Sequence, residues 1–390
     1  MKRYTALAGL VITAILVMSA PARAAAPPTE GSREDLTFTL TASWPLAAPT
    51  GTLKSLVVGR PGLEGSEVDK ASTIPTFTRS IVARGKAYRY TLVGSDPFVK
   101  NAKKVVVPMQ IIPVRFEFDD GTFFDPTLPS PPCAGGGSAL SRVLESPIVK
   151  SVNYGDGSRQ FEEQIRRFEL WSLTGVKGAI NPGYSVRIST TVLPTFTVKL
   201  QGFPTEQAPC GRVGFLDINV WDDYLRASIF PVLRKLGVSP KTFPLFLFIN
   251  VSLFEGNPDA CCILGYHSAF NSGGAQTYGI ANYDVSQQSP GSSDVSVLAH
   301  ELAEWYDDPF VNNVTPPWGH IGQVPGCQAD LEVGDPLSGS LHTVKMPNGF
   351  TYHPQELAFF SWFFNQVPSL GINGWYSSGG KLRSPAALCQ

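Results

Sequence analysis

Polar and apolar residues alternate at Leu36-Thr37-Phe38-Thr39-Leu40 and again at Tyr88-Arg89-Tyr90-Thr91-Leu92, the period-two pattern of half-buried strands. The β-branched run from Val105 to Phe118 extends that reading, and Pro108 and Pro113 within it predict bends or an edge position. Tyr184 to Leu200 and Val213 to Val220 read as further strands, Leu245 to Leu253 as a buried one and Thr277 to Tyr283 as a short alternating one. Helical spacing appears where Phe161, Ile165, Phe168 and Trp171 share a face. It returns at Trp221, Leu225, Ile229, Val232 and Leu236, where Pro231 predicts a kink or two shorter helices. A last helix is predicted from Pro354 to Gln366. Helices fall between groups of strands without regular strand–helix alternation, so the expected class is α+β.

One further helix is unlike the others. At about 100° per residue, His300, Glu304 and Asp307 form one stripe, with Glu301 and Asp308 beside it. Val295, Leu298, Ala299, Leu302, Trp305 and Tyr306 form its apolar back. Ser293 or Asp294 is the expected cap and Pro309 the stop. The polar face carries four carboxylates and one imidazole, with no Lys or Arg among them. Such a face repels itself unless a positive partner sits in it, and a divalent metal is the economical candidate.

Composition narrows the class. Charged residues make only 16% of the 390, the net charge is −1 and no basic face emerges, which argues against nucleic-acid binding. Thirty-seven Gly and 33 Pro predict many turns and long ordered loops. Lys2 and Arg3, the apolar stretch from Ala6 to Ala20 and Ala22-Arg23-Ala24 read as a signal peptide over residues 1–24. The expected mature product is secreted, periplasmic or extracellular, with no membrane association. Export makes Cys133, Cys210, Cys261, Cys262, Cys327 and Cys389 disulfide candidates. Adjacent Cys261 and Cys262 are expected to join different partners, because a ring between neighbours is strained. The division expected is the signal peptide, a β-rich region at 25–100 and a metal-binding domain at 101–390.

His300-Glu301-x-x-Glu304 matches the zinc-helix pattern HExxH except at its last position. Ligands one turn apart grip one ion, and the glutamate between them reaches a water on it. Glu304 keeps the reach and substitutes a charged oxygen for nitrogen, which zinc accepts and which also suits calcium. A third ligand must come from elsewhere, and Leu331-Glu332-Val333-Gly334-Asp335 is the best offer. Together these segments resemble the gluzincin branch of the zincin metallopeptidases. The resemblance implies a zincin-like domain with a mixed twisted sheet, an active-site helix and a C-terminal helical part. It implies His300, Glu304 and Glu332 as zinc ligands, Asp335 as a hydrogen-bonding partner of His300, Glu301 as general base and Thr277–Tyr283 as edge strand. Asp308 is an alternative ligand or supporting group. The pattern is also similar to secreted microbial proteins in which an HExxE helix ends in Asp-Pro and an E-x-G-D run follows. The other histidines, His267, His320, His342 and His353, are scattered; His320 and His353 lie nearest in sequence and read as structural, with the alternative that either hydrogen-bonds a tetrahedral intermediate, and Tyr352 is a candidate oxyanion partner.

The expected function is therefore a secreted, zinc-dependent hydrolase acting on a peptide or protein substrate. The alternative is a non-catalytic extracellular or wall-associated binding protein in which zinc, calcium or no metal stabilises the same helix.

Overall fold

The computed structural model describes residues 36–41, 73–289 and 291–390; the expected signal peptide and the lead-in to residue 35 lie outside the described residues. The Val105–Phe118 strand organises the rest. On one side it pairs in parallel with Val186–Val192 along its first half and with Phe196–Gln201 along its second. On the other it pairs in parallel with Phe243–Ile249, which is followed outward by Ala275–Tyr283 and then by antiparallel Gly265–Asn271. Thr37–Thr41 closes the far edge against Phe196–Gln201. The class is α+β with a mixed sheet, as expected. Two strand readings change. Val105–Phe118 is central: Pro113 falls where one partner strand gives way to the next, and Pro108 lies one residue before pairing with Phe243–Ile249 begins at Met109. Ala275–Tyr283 is interior, and the edge is Gly265–Asn271, a strand the sequence reading passed over.

Two other elements depart from the pattern for local reasons, and the stripe around Pro231 divides into two helices as predicted. The apolar run at Leu245–Leu253 is two strands, because Asn250 adopts φ 53° and turns the chain into a second sheet built on Gly211–Asp217 and Val251–Phe254. The stripe around Pro231 continues from Ile218–Tyr224 into Phe230–Lys235 through a π turn at Leu225–Ile229, which absorbs the missing donor. The last helix shrinks to Phe360–Phe363. Upstream of it the backbone N–H groups of Glu356, Ala358 and Phe359 donate to Ser340, Val333 and Tyr376 carbonyls, and these long-range bonds displace local helix.

The Ser296–Asp307 helix lies on the last two strands of the sheet, and all twelve of its residues are buried. Trp305 stacks on Phe243 at 4.1 Å, while Leu302 and Leu298 fill the sheet side. No side chain caps its start. Asp294 instead accepts from the backbone and ring nitrogens of His353. At its end Asn313 donates to the carbonyl of Asp307 and bonds both backbone groups of Thr91, locking the Thr76–Ala83/Lys86–Val93 hairpin against the helix. From Thr37 onward the described residues form one compact unit. No described helix is long and apolar enough to cross a membrane. Three disulfides close the chain: Cys133–Cys210, Cys327–Cys389 and, against expectation, Cys261–Cys262. The other four cysteines are matched at ordinary Cα separations of 5.9 and 5.7 Å, which leaves the adjacent pair each other.

Since Trp305 is fully buried between sheet and helix, Trp305→Ala should cost about 3–5 kcal/mol. Urea unfolding of the variant checks this; a loss below about 1 kcal/mol is outside the cavity cost and would mean that the stack does not anchor the helix.

Candidate metal centre

The acidic stripe divides into three electrostatic fates. Asp307 Oδ1 meets Arg166 Nη1 at 2.6 Å, and the same nitrogen reaches Glu169 at 2.8 Å. Arg166 and Glu169 come from the Phe161–Glu169 helix, whose inward face is polar because it lies against this stripe. Asp308 turns both carboxylate oxygens to the backbone N–H groups of Asn312 and Asn313, each at 2.9 Å. Its side chain thus closes a turn, and it reaches the cluster only through its carbonyl. The cation expected for the whole stripe is therefore partly an arginine. His300, Glu301 and Glu304 are left, each fully buried. Among the described residues no Arg or Lys makes an ion pair with any of these carboxylates, nor with Glu332 or Asp335.

His300 is oriented from behind. Gln355 Nε2 donates to the Gly334 carbonyl at 2.6 Å, which turns its amide oxygen toward His300 Nδ1 at 3.1 Å. Nδ1 must then donate, and Nε2 faces the cluster. Nε2 lies 2.9 Å from Glu304 Oε1 and 3.4 Å from Asp335 Oδ1, yet is aligned for a hydrogen bond with neither. Gly334 is required here because a Cβ would come within 2.5 Å of the imidazole ring. Its N–H donates to Glu304 Oε1 at 3.1 Å, so the Glu332–Asp335 turn is fastened to the helix. Asp335 is held in turn by the side-chain amides of Gln323 and Gln328.

The ligand candidates meet, in an arrangement other than the resemblance implied. His300, Glu304 and Asp335 bring one donor atom each within 4.8 Å of one another. Asp335 stands on the Nε2 side of the ring, as a candidate ligand, and Gln355 takes the orienting place behind it. Glu332 lies against Glu304, and neither of its oxygens has an aligned hydrogen-bond partner among the described residues. His267, on the edge strand, is the donor that sequence reasoning missed. Its Nε2 donates to the Asp308 carbonyl at 3.2 Å, and its Nδ1 lies 3.3 Å from Glu301 Oε2 and 3.7 Å from Glu304 Oε2. It sits in no recognisable motif, and only its place on a mostly buried strand beside the helix reveals it. His353 and Tyr352 serve structure, pairing with Asp294 and the Arg142 carbonyl, and His320 lies beside the Cys327 sulfur.

Protonation follows from burial. Desolvation drives His267 down to about 3, so its ring is neutral and Nδ1 accepts. Desolvation first, then the neighbouring Glu304 charge, pushes Glu301 and Glu332 far above the usual carboxylate range. Glu301 therefore holds a proton toward His267. Burial opposes charge on His300, but Glu304 and Asp335 overcome it and raise its affinity for a proton. Protons thus stand where cations could. A metal fits the donor set: two imidazoles and four carboxylates converge, and buried His300 Nε2, Glu301 Oε1, Glu304 Oε2 and both Glu332 oxygens lack aligned partners.

A cavity of ≈ 210 Å³ adjoins this cluster, lined by Leu264, Ser296, Val297, Gln323, Ser338 and Gln355 among others. Val297 and Ser296 lie one turn before Glu301 and His300, and the two glutamines are those that hold Asp335 and His300. None of its lining residues is charged. No protein-family profile, curated protein or solved structure matches the chain.

Two outcomes follow from this geometry. Gly334→Ala forces a methyl group into the His300 ring and should destabilise the protein by about 1–3 kcal/mol while weakening metal uptake. Unchanged melting and metal content would show that the turn does not pack on the ring. The second concerns pH. Burial raises Glu162, Glu301 and Glu332, which keep protons in the fold that unfolded glutamates release above about pH 4.3. The native state then binds more protons, and stability falls as pH rises toward the raised folded values. Neutral His267 opposes this by one proton below about pH 6.5. Chelator-treated protein should melt higher at pH 6 than at pH 8.5, and the stabilisation gained from added metal should grow with pH. Calorimetry at both values checks the sign.

Proposed function

We propose that this protein is an exported, metal-dependent hydrolase of zincin-like type acting on peptide bonds. The carrying observation is His300, whose Nδ1 is committed to Gln355 while Nε2 points unaligned into Glu304 and Asp335. His300, Glu304 and Asp335 would hold the first ion, with Glu332 beside Glu304. Zinc held there would supply Lewis acidity toward the scissile carbonyl. Glu301, the next residue along the helix, would release its buried proton once a cation sits beside it, and would then take a proton from the attacking water at its unpartnered Oε1 and return it to the leaving amine. Gln355 and Gln323 keep His300 and Asp335 in place, and the uncharged cavity beside them supports binding of an uncharged substrate segment. The support lies in the convergence of donors and in their neighbouring cavity.

A structural role for the metal, without catalysis, is favoured by one observation: His300, Glu301 and Glu304 have no exposed surface. Glu301→Gln separates the two readings. The hydrolase reading expects a retained first equivalent of metal and a loss of peptide hydrolysis of roughly 10²–10⁴-fold. If chelation lowers the melting temperature while neither loaded protein nor variant cleaves any member of a peptide library, the structural reading replaces it.

A further inference from the structure

The donor atoms exceed what one ion needs, and they are arranged in two halves around a single carboxylate. Glu304 Oε1 faces His300 Nε2 at 2.9 Å, with Asp335 3.4 Å from the same nitrogen. Glu304 Oε2 faces His267 Nδ1 at 3.7 Å, with Glu301 3.3 Å from that nitrogen. Each half gathers one imidazole, one private carboxylate and one oxygen of Glu304, with donor atoms mutually within 4.8 Å. Both imidazoles are committed on their far sides, His300 to Gln355 and His267 to the Asp308 carbonyl, so both inner nitrogens face Glu304. This is the constellation of a bridged metal pair, in which one carboxylate gives an oxygen to each ion.

We propose that the centre is dinuclear: one divalent cation sits with His300, Asp335 and Glu304 Oε1, and a second with His267, Glu301 and Glu304 Oε2. The inference rests on the reading that the cluster binds a cation at all. Charge supports two. Glu301, Glu304, Glu332 and Asp335 carry four negative charges when ionised, and neutral imidazoles add none. Two divalent ions balance those four at almost no exposure, whereas one balances the site only while two of the carboxylates keep their protons. The independent sign is that buried Glu304 Oε2 and Glu301 Oε1 have no aligned partner, and an ion in the His300 half alone would leave both that way. An oxygen-rich set with one imidazole per ion suits Mn²⁺ as well as Zn²⁺. With the second ion bound Glu301 is a ligand, so the singly loaded protein is the form to which the hydrolytic reading applies.

Mn²⁺ titration of the chelator-treated, full-length protein tests this, with metal content by mass spectrometry and electron paramagnetic resonance as readouts. Two ions per chain, with a spectrum showing exchange coupling between them, is the expected result. His267→Gln should retain one ion and lose the coupling. One ion at saturation, or a second ion that persists without coupling in the His267 variant, overturns the dinuclear proposal and leaves the single-ion reading intact. No bound ion in the unmodified protein sinks both. Should His267→Gln fail to fold, the coupled spectrum of the unmodified protein still decides.

Discussion

Burying four carboxylates around two imidazoles is the constraint to which the surrounding structure answers. Isolated charges are not tolerated at near-zero exposure, so each must be protonated, paired or coordinated. The fold assigns these solutions by position. Arg166 neutralises Asp307, backbone amides take Asp308, and the remaining group is left to protons or cations. Arg166 spends Nη1 on Glu169 and on Asp307, one turn along the helix from Glu304, and makes no ion pair with the cluster itself.

The scaffold that imposes this is built from distant pieces. The edge strand contributes His267, the helix gives His300, Glu301 and Glu304, and the turn at Glu332–Asp335 closes the open side. Gln355 arrives from a segment whose backbone bonds run to Val333, Ser340 and Tyr376 instead of forming a helix. Close approach is secured by missing side chains. A Cβ at Gly334 would strike the His300 ring, and one at Gly265 would lie 2.9 Å from Glu301. Both glycines therefore set how near the backbone comes to the donors, and rigid placement of this kind is what a metal centre requires.

What the sequence reveals follows from which interactions are local. The helix, its stop at Pro309 and the clustering of His300, Glu301 and Glu304 are properties of 3.6-residue periodicity, and they are legible. So is the pairing of that helix with the Glu332–Asp335 run, since both segments carry acids at motif spacing. His267 and Gln355 carry no such signature: an imidazole on a buried strand and an amide in an extended segment gain their roles only from tertiary contact. The same limit explains the shortened C-terminal helix, whose helical periodicity lost to long-range backbone bonds. It explains the split at Asn250 as well, where a single left-handed residue redirects an unbroken apolar run. The expectation for Cys261 and Cys262 failed because pairing depends on where the other four cysteines stand.

The departure from HExxH then acquires a physical reason. A histidine at 304 would offer one inward nitrogen and could meet only one of the two imidazoles' neighbourhoods. Glutamate offers two oxygens on one planar group, and here they face different rings: Oε1 toward His300 and Oε2 toward His267. Oε1 also accepts the Gly334 N–H, which a metal-facing imidazole nitrogen could not do without losing its lone pair. The substitution that weakens the likeness to a single-zinc helix is the one that lets a single side chain join both halves of the cluster. On this view Glu304 is the reason for His267 as much as for His300, and the edge strand belongs to the centre as fully as the helix does.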